Sequence, residues 1–350
     1  MRIKVRQLVL VLSGIALSTL AEASDRDASW PGFRGPRARG VAEGSAAPAK
    51  WDVPKGENVL WTTPVPGLAH ASPVVFGDSV FVASAVREGG EASLKVGLYG
   101  DIGAADDNGT QRYVLLRLDR NTGKVVWERT VFEGQPKQKR HTKATHANST
   151  PATDGKRVVA LFGSEGLYCY DYSGKLVWKK DLGVLQASFF KVPDAQWGFG
   201  SSPAIDDGVV YVQADVLPSG FLAAFSLEDG RELWRTPRED VPTWSTPTVH
   251  DLGGRKIVLV NGWKHAGAYD AKTGKDVWKL KGQGDIPVPT PFVVDGLVFF
   301  SQAHGPGSPV YVVKADATGD VTLAPEARSS AGIVWSLERG GSYIPTPIVY

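Results

Sequence analysis

Few side chains in this 350-residue sequence are arranged for bond-making chemistry. His141 and His146 stand five residues apart in His141-Thr-Lys-Ala-Thr-His146. That spacing suits neither one helix face nor one strand face, and no third ligand accompanies it, so no metal site is expected. Cys169 is the only cysteine, which excludes an intrachain disulfide, a Cys-rich zinc site and the Cys-x-x-Cys-His attachment of a c-type haem. It sits in the alternating run Gly166-Leu-Tyr-Cys-Tyr-Asp171 and reads as a buried, inert thiol. There is no Gly-x-Ser-x-Gly elbow, no His-Glu-x-x-His, and no Walker or Rossmann glycine pattern. The remaining candidates are His70, His146, Asn148, Trp197 and Trp244, with Ser164, Glu165, Asp215, Asn261, Trp263 and His304. Aromatic faces and carboxamides of this kind suit reversible recognition, by stacking and hydrogen bonding, if they converge on a concave surface.

Whether they converge depends on the elements that carry them, and an internal repeat defines those. Asn121-Thr-Gly-Lys-Val-Val-Trp127, Tyr172-Ser-Gly-Lys-Leu-Val-Trp178, Glu228-Asp-Gly-Arg-Glu-Leu-Trp234 and Lys272-Thr-Gly-Lys-Asp-Val-Trp278 superimpose. Each places a glycine (Gly123, Gly174, Gly230, Gly274) four residues before a tryptophan (Trp127, Trp178, Trp234, Trp278). A second mark runs out of phase with the first, a Ser/Thr-Pro pair opening an apolar run. It occurs at Ser72-Pro73, Thr150-Pro151, Ser202-Pro203, Thr246-Pro247, Thr290-Pro291 and Thr346-Pro347. A period of 40 to 50 residues marks a stacked architecture.

Each unit reads as four short strands. In the unit from Thr246, residues 247–250 form a first strand and 251–254 a turn. Residues 256–260 form the second strand, 266–270 the third, Ala271-Lys-Thr-Gly274 a tight turn, and 275–279 the fourth. Glycine supplies the positive φ of that last turn, and proline at a strand start forgoes only a dispensable N–H. No stretch keeps a 3.6-residue apolar period, which excludes a helical solenoid, and a sandwich would not repeat Gly-x-x-x-Trp so regularly. The expected fold is therefore all-β, a β-propeller of four-stranded blades, with each repeat Trp wedged between adjacent sheets. About five blades are complete: 71–131 (with an insertion at 87–112), 147–182, 198–237, 243–281 and 288–337, the last with Val334-Trp335 as its outer strand. Residues 343–350 open a sixth. Asn58-Val-Leu-Trp61 resembles an outer strand that could close the ring, and the sequence is expected to be C-terminally truncated.

The unit closely resembles the PQQ-type propeller repeat, through Asp119-Arg-Asn-Thr-Gly-Lys-Val-Val-Trp127 and Asp270-Ala-Lys-Thr-Gly-Lys-Asp-Val-Trp278. That repeat is shared by quinoprotein dehydrogenases and by the BamB component of the outer-membrane barrel assembly machinery. Trp30-Pro-Gly-Phe-Arg-Gly-Pro36, Gly97-Leu-Tyr-Gly-Asp-Ile102, Phe162-Gly-Ser-Glu-Gly166 and Trp244-Ser-Thr-Pro247 further resemble the exported PQQ-binding-like propellers of planctomycete-type bacteria. The resemblance implies seven or eight blades in a full protein, eight favoured. For the enzymes of the class it also implies PQQ in the funnel on a Trp floor, a Ca²⁺ ion held by carboxylate and amide oxygens, and an Asp base. Trp244 could be that floor. The adjacent-cysteine disulfide of those enzymes is impossible here, and no calcium set can be assembled from matching motifs.

Two functions are thus weighed. The favoured one is a non-catalytic scaffold or ligand-binding module, with no cofactor, whose partner is an envelope protein or a small or polymeric ligand. The alternative is a PQQ- and Ca-dependent quinoprotein dehydrogenase. In either, the loops between blades and those between second and third strands share one face. His70, His146, Asn148, Trp197, Trp244, Asn261, Trp263 and His304 are expected there, either lining the funnel mouth or plugging it. Arg2, Lys4 and Arg6, the apolar stretch Leu8 to Leu20 and the small-residue site Ala21-Glu-Ala23 read as a cleavable signal (residues 1–23), followed by an N-terminal extension (24–57) and the propeller (58–350). The apolar stretch is too short for a transmembrane anchor. The formal charge is +2, and three basic residues but one acid lie in residues 1–23, so the remainder is balanced and nucleic acid is not an expected partner. The basic run 137–143 reads as a solvated loop.

Overall fold

A computed structural model describes residues 29–44, 47–90, 92–95, 103–282, 284–305 and 307–349. The expected signal peptide, the 97–102 motif and Tyr350 lie outside these residues. Five four-stranded antiparallel meanders follow one another along the chain. The first comprises β1 (Val74–Phe76), β2 (Ser79–Arg87), β3 (Gln111–Asp119) and β4 (Val125–Gly134). The second comprises β5 (Ala152–Thr153), β6 (Arg157–Leu161), β7 (Leu167–Asp171) and β8 (Leu176–Lys180). A separate two-stranded hairpin, β9 (Ser188–Phe189) and β10 (Val192–Gln196), interrupts the series. The third sheet holds β11 (Ala204–Asp206), β12 (Val209–Ala214), β13 (Gly220–Ser226) and β14 (Glu232–Arg238). The fourth holds β15 (Thr248–Leu252), β16 (Arg255–Val260), β17 (Ala266–Asp270) and β18 (Asp276–Leu280). In the fifth, β19 (Phe292–Val294), β20 (Leu297–Ser301) and β21 (Val310–Lys314) are completed by β23 (Ile333–Leu337), while β22 (Gly319–Asp320) adds in parallel to β18. The fold is a β-propeller, with blade limits close to those the repeat predicts. In the fourth blade the inner strand runs two residues further than expected, because Leu252 pairs with Arg255 and only Gly253-Gly254 turns.

Alternation along each strand sends successive side chains into opposite interfaces. Val158 and Ala160 of β6 pack with Phe81 and Tyr113 of the first blade, while Val159 and Leu161 pack with Val210 and Val212 of the third. Tyr211 turns to Val258 and Val260, and Ile257 and Leu259 turn to Val298 and Phe300. Each interface has its own buried cluster. Cys169 lies fully buried in one of them, and burial pushes its thiol up to about 12.

The Gly-x-x-x-Trp mark acts between blades. The ring of Trp178 lies against Gly230 of the next blade, where an added Cβ would come within 2.7 Å of it, and φ at Gly230 is +71°. Trp127 and Trp234 approach Gly174 and Gly274 in the same way. The segment 58–61, expected as an outer strand, pairs with no strand among the described residues, yet Trp61 lies on Gly123 in the same manner. The segment supplies a wedge without a ladder.

The Ser/Thr-Pro mark builds a relay around the axis. The N–H of Ser72 donates to Thr150 Oγ1 (3.0 Å), Thr150 N–H to Ser202 Oγ (2.9 Å), and Ser202 N–H to Thr246 Oγ1 (3.1 Å). Thr246 N–H donates to Thr290 Oγ1 (3.2 Å) and Thr290 N–H to Thr346 Oγ1 (2.9 Å). Residues 343–349 form no strand, but Thr346 holds its place in the relay.

Candidate functional site at the propeller mouth

The two ends of the axis are closed differently. At the end carrying the first hairpin turns, the N-terminal extension crosses the inner strands. Trp30 exchanges both backbone hydrogen bonds with Val75, Thr153 N–H donates to Pro31 O (2.8 Å), and Arg34 Nη2 donates to Pro347 O (3.0 Å). A cavity of about 150 Å³ remains between Phe33 and Arg37 of this plug and Thr153, Ile205 and Thr246 of the inner strands. Nothing in residues 29–40 reads as a plug in the sequence, because their partners lie as far as 313 residues away.

The opposite end is the mouth, and here the loops bring four candidate aromatics together. Trp197 and Trp244 have ring centroids 5.6 Å apart, and Trp244 Nε1 donates to Gly198 O (2.8 Å). The hairpin β9–β10 folds over them. Phe189 stacks on Trp197 at 5.3 Å with rings almost parallel, and lies edge-on to His304 at 6.0 Å. Phe190 meets Trp263 at 5.2 Å, and His304 stacks on Tyr343 at 5.3 Å. Phe189, Phe190, Trp197 and Trp263 are half-buried and Tyr343 is exposed, so a continuous aromatic surface faces outward.

The other four of the eight residues expected at the mouth hold structure or stand apart. Asn261 is fully buried and uses its whole carboxamide: Nδ2 donates to Pro289 O and Ser301 O, and Oδ1 accepts from Gly262 N–H and Gln302 Nε2. Asn148 accepts twice from Thr145 and donates to Phe199 O (3.1 Å). His146 is packed edge-on against Tyr113, 3.4 Å from Asp107, and burial depresses its pKa to about 4. His70 stays exposed, with its pKa lowered by partial burial and by Arg140. His141 accepts from Lys143 N–H and packs on Trp197, so the two histidines of the 141–146 segment serve different neighbours.

Buried charge around the mouth comes in pairs. Arg140, in the run read as a solvated loop, is buried instead. Its Nε donates to Asp107 Oδ2 (2.8 Å) and its Nη1 to Ala144 O (2.9 Å), because Asp107 comes from an insertion 33 residues upstream. Arg238 Nε donates to Asp215 Oδ1 (2.6 Å) and its Nη1 to Tyr269 Oη (2.6 Å). Asp240 accepts from the backbone N–H groups of Val241, Trp263, Lys264 and His265, fixing the loop that presents Trp263. Asp285 accepts from His304 Nδ1 (2.6 Å) and from Lys191 Nζ. Burial alone would raise its pKa, but these two partners hold it below the usual carboxylate range.

These residues do not fit a PQQ–calcium site. The carboxylates that could hold Ca²⁺ are already engaged by Arg140, Arg238, Lys191 and His304, and among the described residues no group of three acidic, His or Cys side chains is placed to hold a metal. Trp244, the expected floor, packs tilted against Trp197 at 5.6 Å, and Trp197 in turn carries Phe189.

Among the described residues no helix is long and apolar enough to cross a membrane. A solved structure, BamB from Moraxella catarrhalis, aligns with 81% of this chain and 90% of its own at 15% identity and a TM-score of 0.41. Quinohemoprotein alcohol dehydrogenase from Comamonas testosteroni aligns with 91% of this chain and 69% of its own at 15% identity and a TM-score of 0.47. In sequence, 1-butanol dehydrogenase (cytochrome c) of Thauera butanivorans is 34% identical over 127 residues, 35% of this chain and only 16% of that enzyme's length. The family model described as outer membrane protein assembly factor BamB matches residues 111–339, well over half of the chain. The chain belongs to that family.

Proposed function

We propose that this protein is a non-catalytic β-propeller, exported to the cell envelope, that binds a polypeptide or polymeric partner through its mouth. One observation carries the reading: Phe189, Phe190, Trp197, Trp263 and Tyr343, from three separate loops, converge on one half-exposed surface. Aromatic side chains of this kind, ringed by polar groups, are the anchors of recognition surfaces. The buried carboxylates beneath them are paired with arginine, lysine and histidine, which suits a structural role beneath a binding surface. Membership of a family described by outer-membrane assembly supports an envelope setting.

The test is a photo-crosslinking residue placed at Tyr343 or Trp263, compared with one at Asp251 on the plugged face, in cells producing the protein. Adducts of one defined size from the mouth positions alone are expected. In parallel, purified protein is incubated with PQQ and Ca²⁺. Quinone retained one-to-one, with alcohol-dependent dye reduction, would overturn the reading in favour of a dehydrogenase.

A further inference from the structure

Four carboxylates are sunk beneath the mouth, Asp107, Asp215, Asp240 and Asp285, and they are neutralised in two different ways; Asp240 shares Arg238 with Asp215. Asp107 meets Arg140 and Asp215 meets Arg238, and both arginine side chains are themselves buried, at 5% and 1% exposure. Asp285 has no arginine. Its side chain is wholly buried, and its cation comes from Lys191, a side chain 52% exposed. Lys191 stands at the tip of β9–β10, a hairpin that forms a sheet of its own and joins no blade. One of these buried charges is thus held by a flexible, half-exposed ammonium from outside the blades.

The surroundings of Asp285 are shaped for such a group. One oxygen is held by His304, whose ring is fixed between Phe189 and Tyr343. The loop closes tightly behind the carboxylate at Gly305, where φ is +76° and a Cβ would lie 2.8 Å from the carboxyl group. In front, the rings of Phe189 and Phe190 lie 5.7 and 5.4 Å from the Lys191 ammonium. A buried carboxylate requires a cation, and aromatic faces at this distance add attraction for one. Lysine has a long, flexible stem, so its head can swing into solvent while Phe189, Phe190 and His304 stay in place.

We propose that the Asp285 recess is a recognition site for a primary alkylammonium group, that Lys191 is its resident occupant, and that the ammonium of a ligand takes its place. The proposal rests on the mouth being the binding face and adds the chemistry it selects. Lysine side chains of a partner and free alkylamines share this chemistry.

The full chain is titrated with n-butylammonium and with acetyl-Ala-Lys-Ala-amide, followed by calorimetry and by tryptophan emission from Trp197 and Trp263. Lys191→Ala should bind both probes at least about tenfold more tightly than the unaltered chain, because a tethered competitor at high effective concentration is gone. Lys191→Arg refills the recess and should not gain. Asp285→Asn on the Lys191→Ala background should lose the gain, and neutral n-butanol should not bind. Should the Asp285 variant fail to fold, the Ala–Arg contrast and the n-butanol control still decide. Tighter binding of the peptide assigns the ammonium to a polypeptide, and tighter binding of the amine assigns it to a small molecule. Equal affinity of Lys191→Ala and the unaltered chain overturns the proposal. Mouth crosslinks without an ammonium gain would overturn the recess alone, and an ammonium gain without mouth crosslinks would overturn the wider reading alone.

Discussion

The indole N–H of Trp178 donates to the carbonyl oxygen of Leu227 in the following blade at 2.9 Å. The same step runs from Trp61 to Arg120 (2.7 Å), from Trp127 to Tyr172 (3.0 Å) and from Trp234 to Ala271 (3.0 Å). It fails once. Trp278 is fully buried against Phe300, but its N–H has no acceptor among the described residues; here, after β21, the chain leaves to form β22 and returns as β23 only after eighteen intervening residues.

Trp278 and Trp244 should therefore respond differently to truncation. Trp278→Ala empties a fully buried interface and should cost about 3–5 kcal/mol, whereas Trp244→Ala, at the half-exposed mouth, should cost clearly less. Urea unfolding of the two variants measures the difference, and equal losses would contradict the placement of Trp244.

Gly230→Ala should destabilise through two effects, left-handed backbone and collision with the Trp178 ring. Gly208 has a φ of +73° with nothing near its missing Cβ, so Gly208→Ala isolates the backbone effect, about 1–2 kcal/mol. The excess loss in Gly230→Ala reports the seat of the tryptophan. Identical losses would show that the ring yields freely.

Thr246→Val removes the acceptor of the buried Ser202 N–H while keeping size and β-branching. An orphaned buried donor costs about 1–3 kcal/mol. Thr246→Ser keeps the hydroxyl and should be close to neutral, and chemical denaturation of the pair separates the hydrogen bond from packing.

Acid should weaken the fold through two buried histidines. Burial lowers the pKa of His146 and of His250 to about 4, with Arg140 and Arg37 respectively adding to the depression. The unfolded chain binds these protons near 6.5, so between about 6.5 and 4 it holds more of them than the folded chain. Stability should be flat in this respect above pH 6.5 and fall as pH drops towards 4. Urea midpoints at pH 7.5, 6 and 5 measure the slope, and His146→Gln with His250→Gln should flatten it.

Export is the last expectation. N-terminal sequencing of envelope material should begin at Ser24, after the Ala21-Glu-Ala23 site. A chain still carrying Met1 and sedimenting with membranes would contradict it.

The blades were legible in the sequence because their marks are local: a glycine four residues before a tryptophan, and a hydroxyl residue before a proline. What those residues touch was not legible, since Ser202 finds Thr246 and Trp178 finds Gly230 only after the sheets have stacked. The mouth divided along the same line. Trp197, Trp244, Trp263 and His304 stood out as aromatics just before or between strands, and they do converge. Asn148 and Asn261 carry the same residue-type signal, yet their carboxamides are consumed by neighbouring backbone and side-chain groups. Phe189, Phe190 and Lys191 left no repeat-derived trace, because their hairpin belongs to no blade. The one usable signal was a stretch between the second and third blades too long for a simple crossover, carrying two adjacent phenylalanines.

The hydroxyl relay around the axis has a direction. Thr150, Ser202, Thr246 and Thr290 each offer the N–H forward and the oxygen backward, so each of these blades carries one donor and one acceptor, like a monomer with complementary head and tail. Because Ser202, Thr246 and Thr290 recur at intervals of 44 residues, a whole period can in principle be duplicated or excised at these joints, and the flanking members would still mate. Copy number can then change during descent without breaking the relay itself, while a change that loses a single hydroxyl is felt by the preceding unit and not by its own.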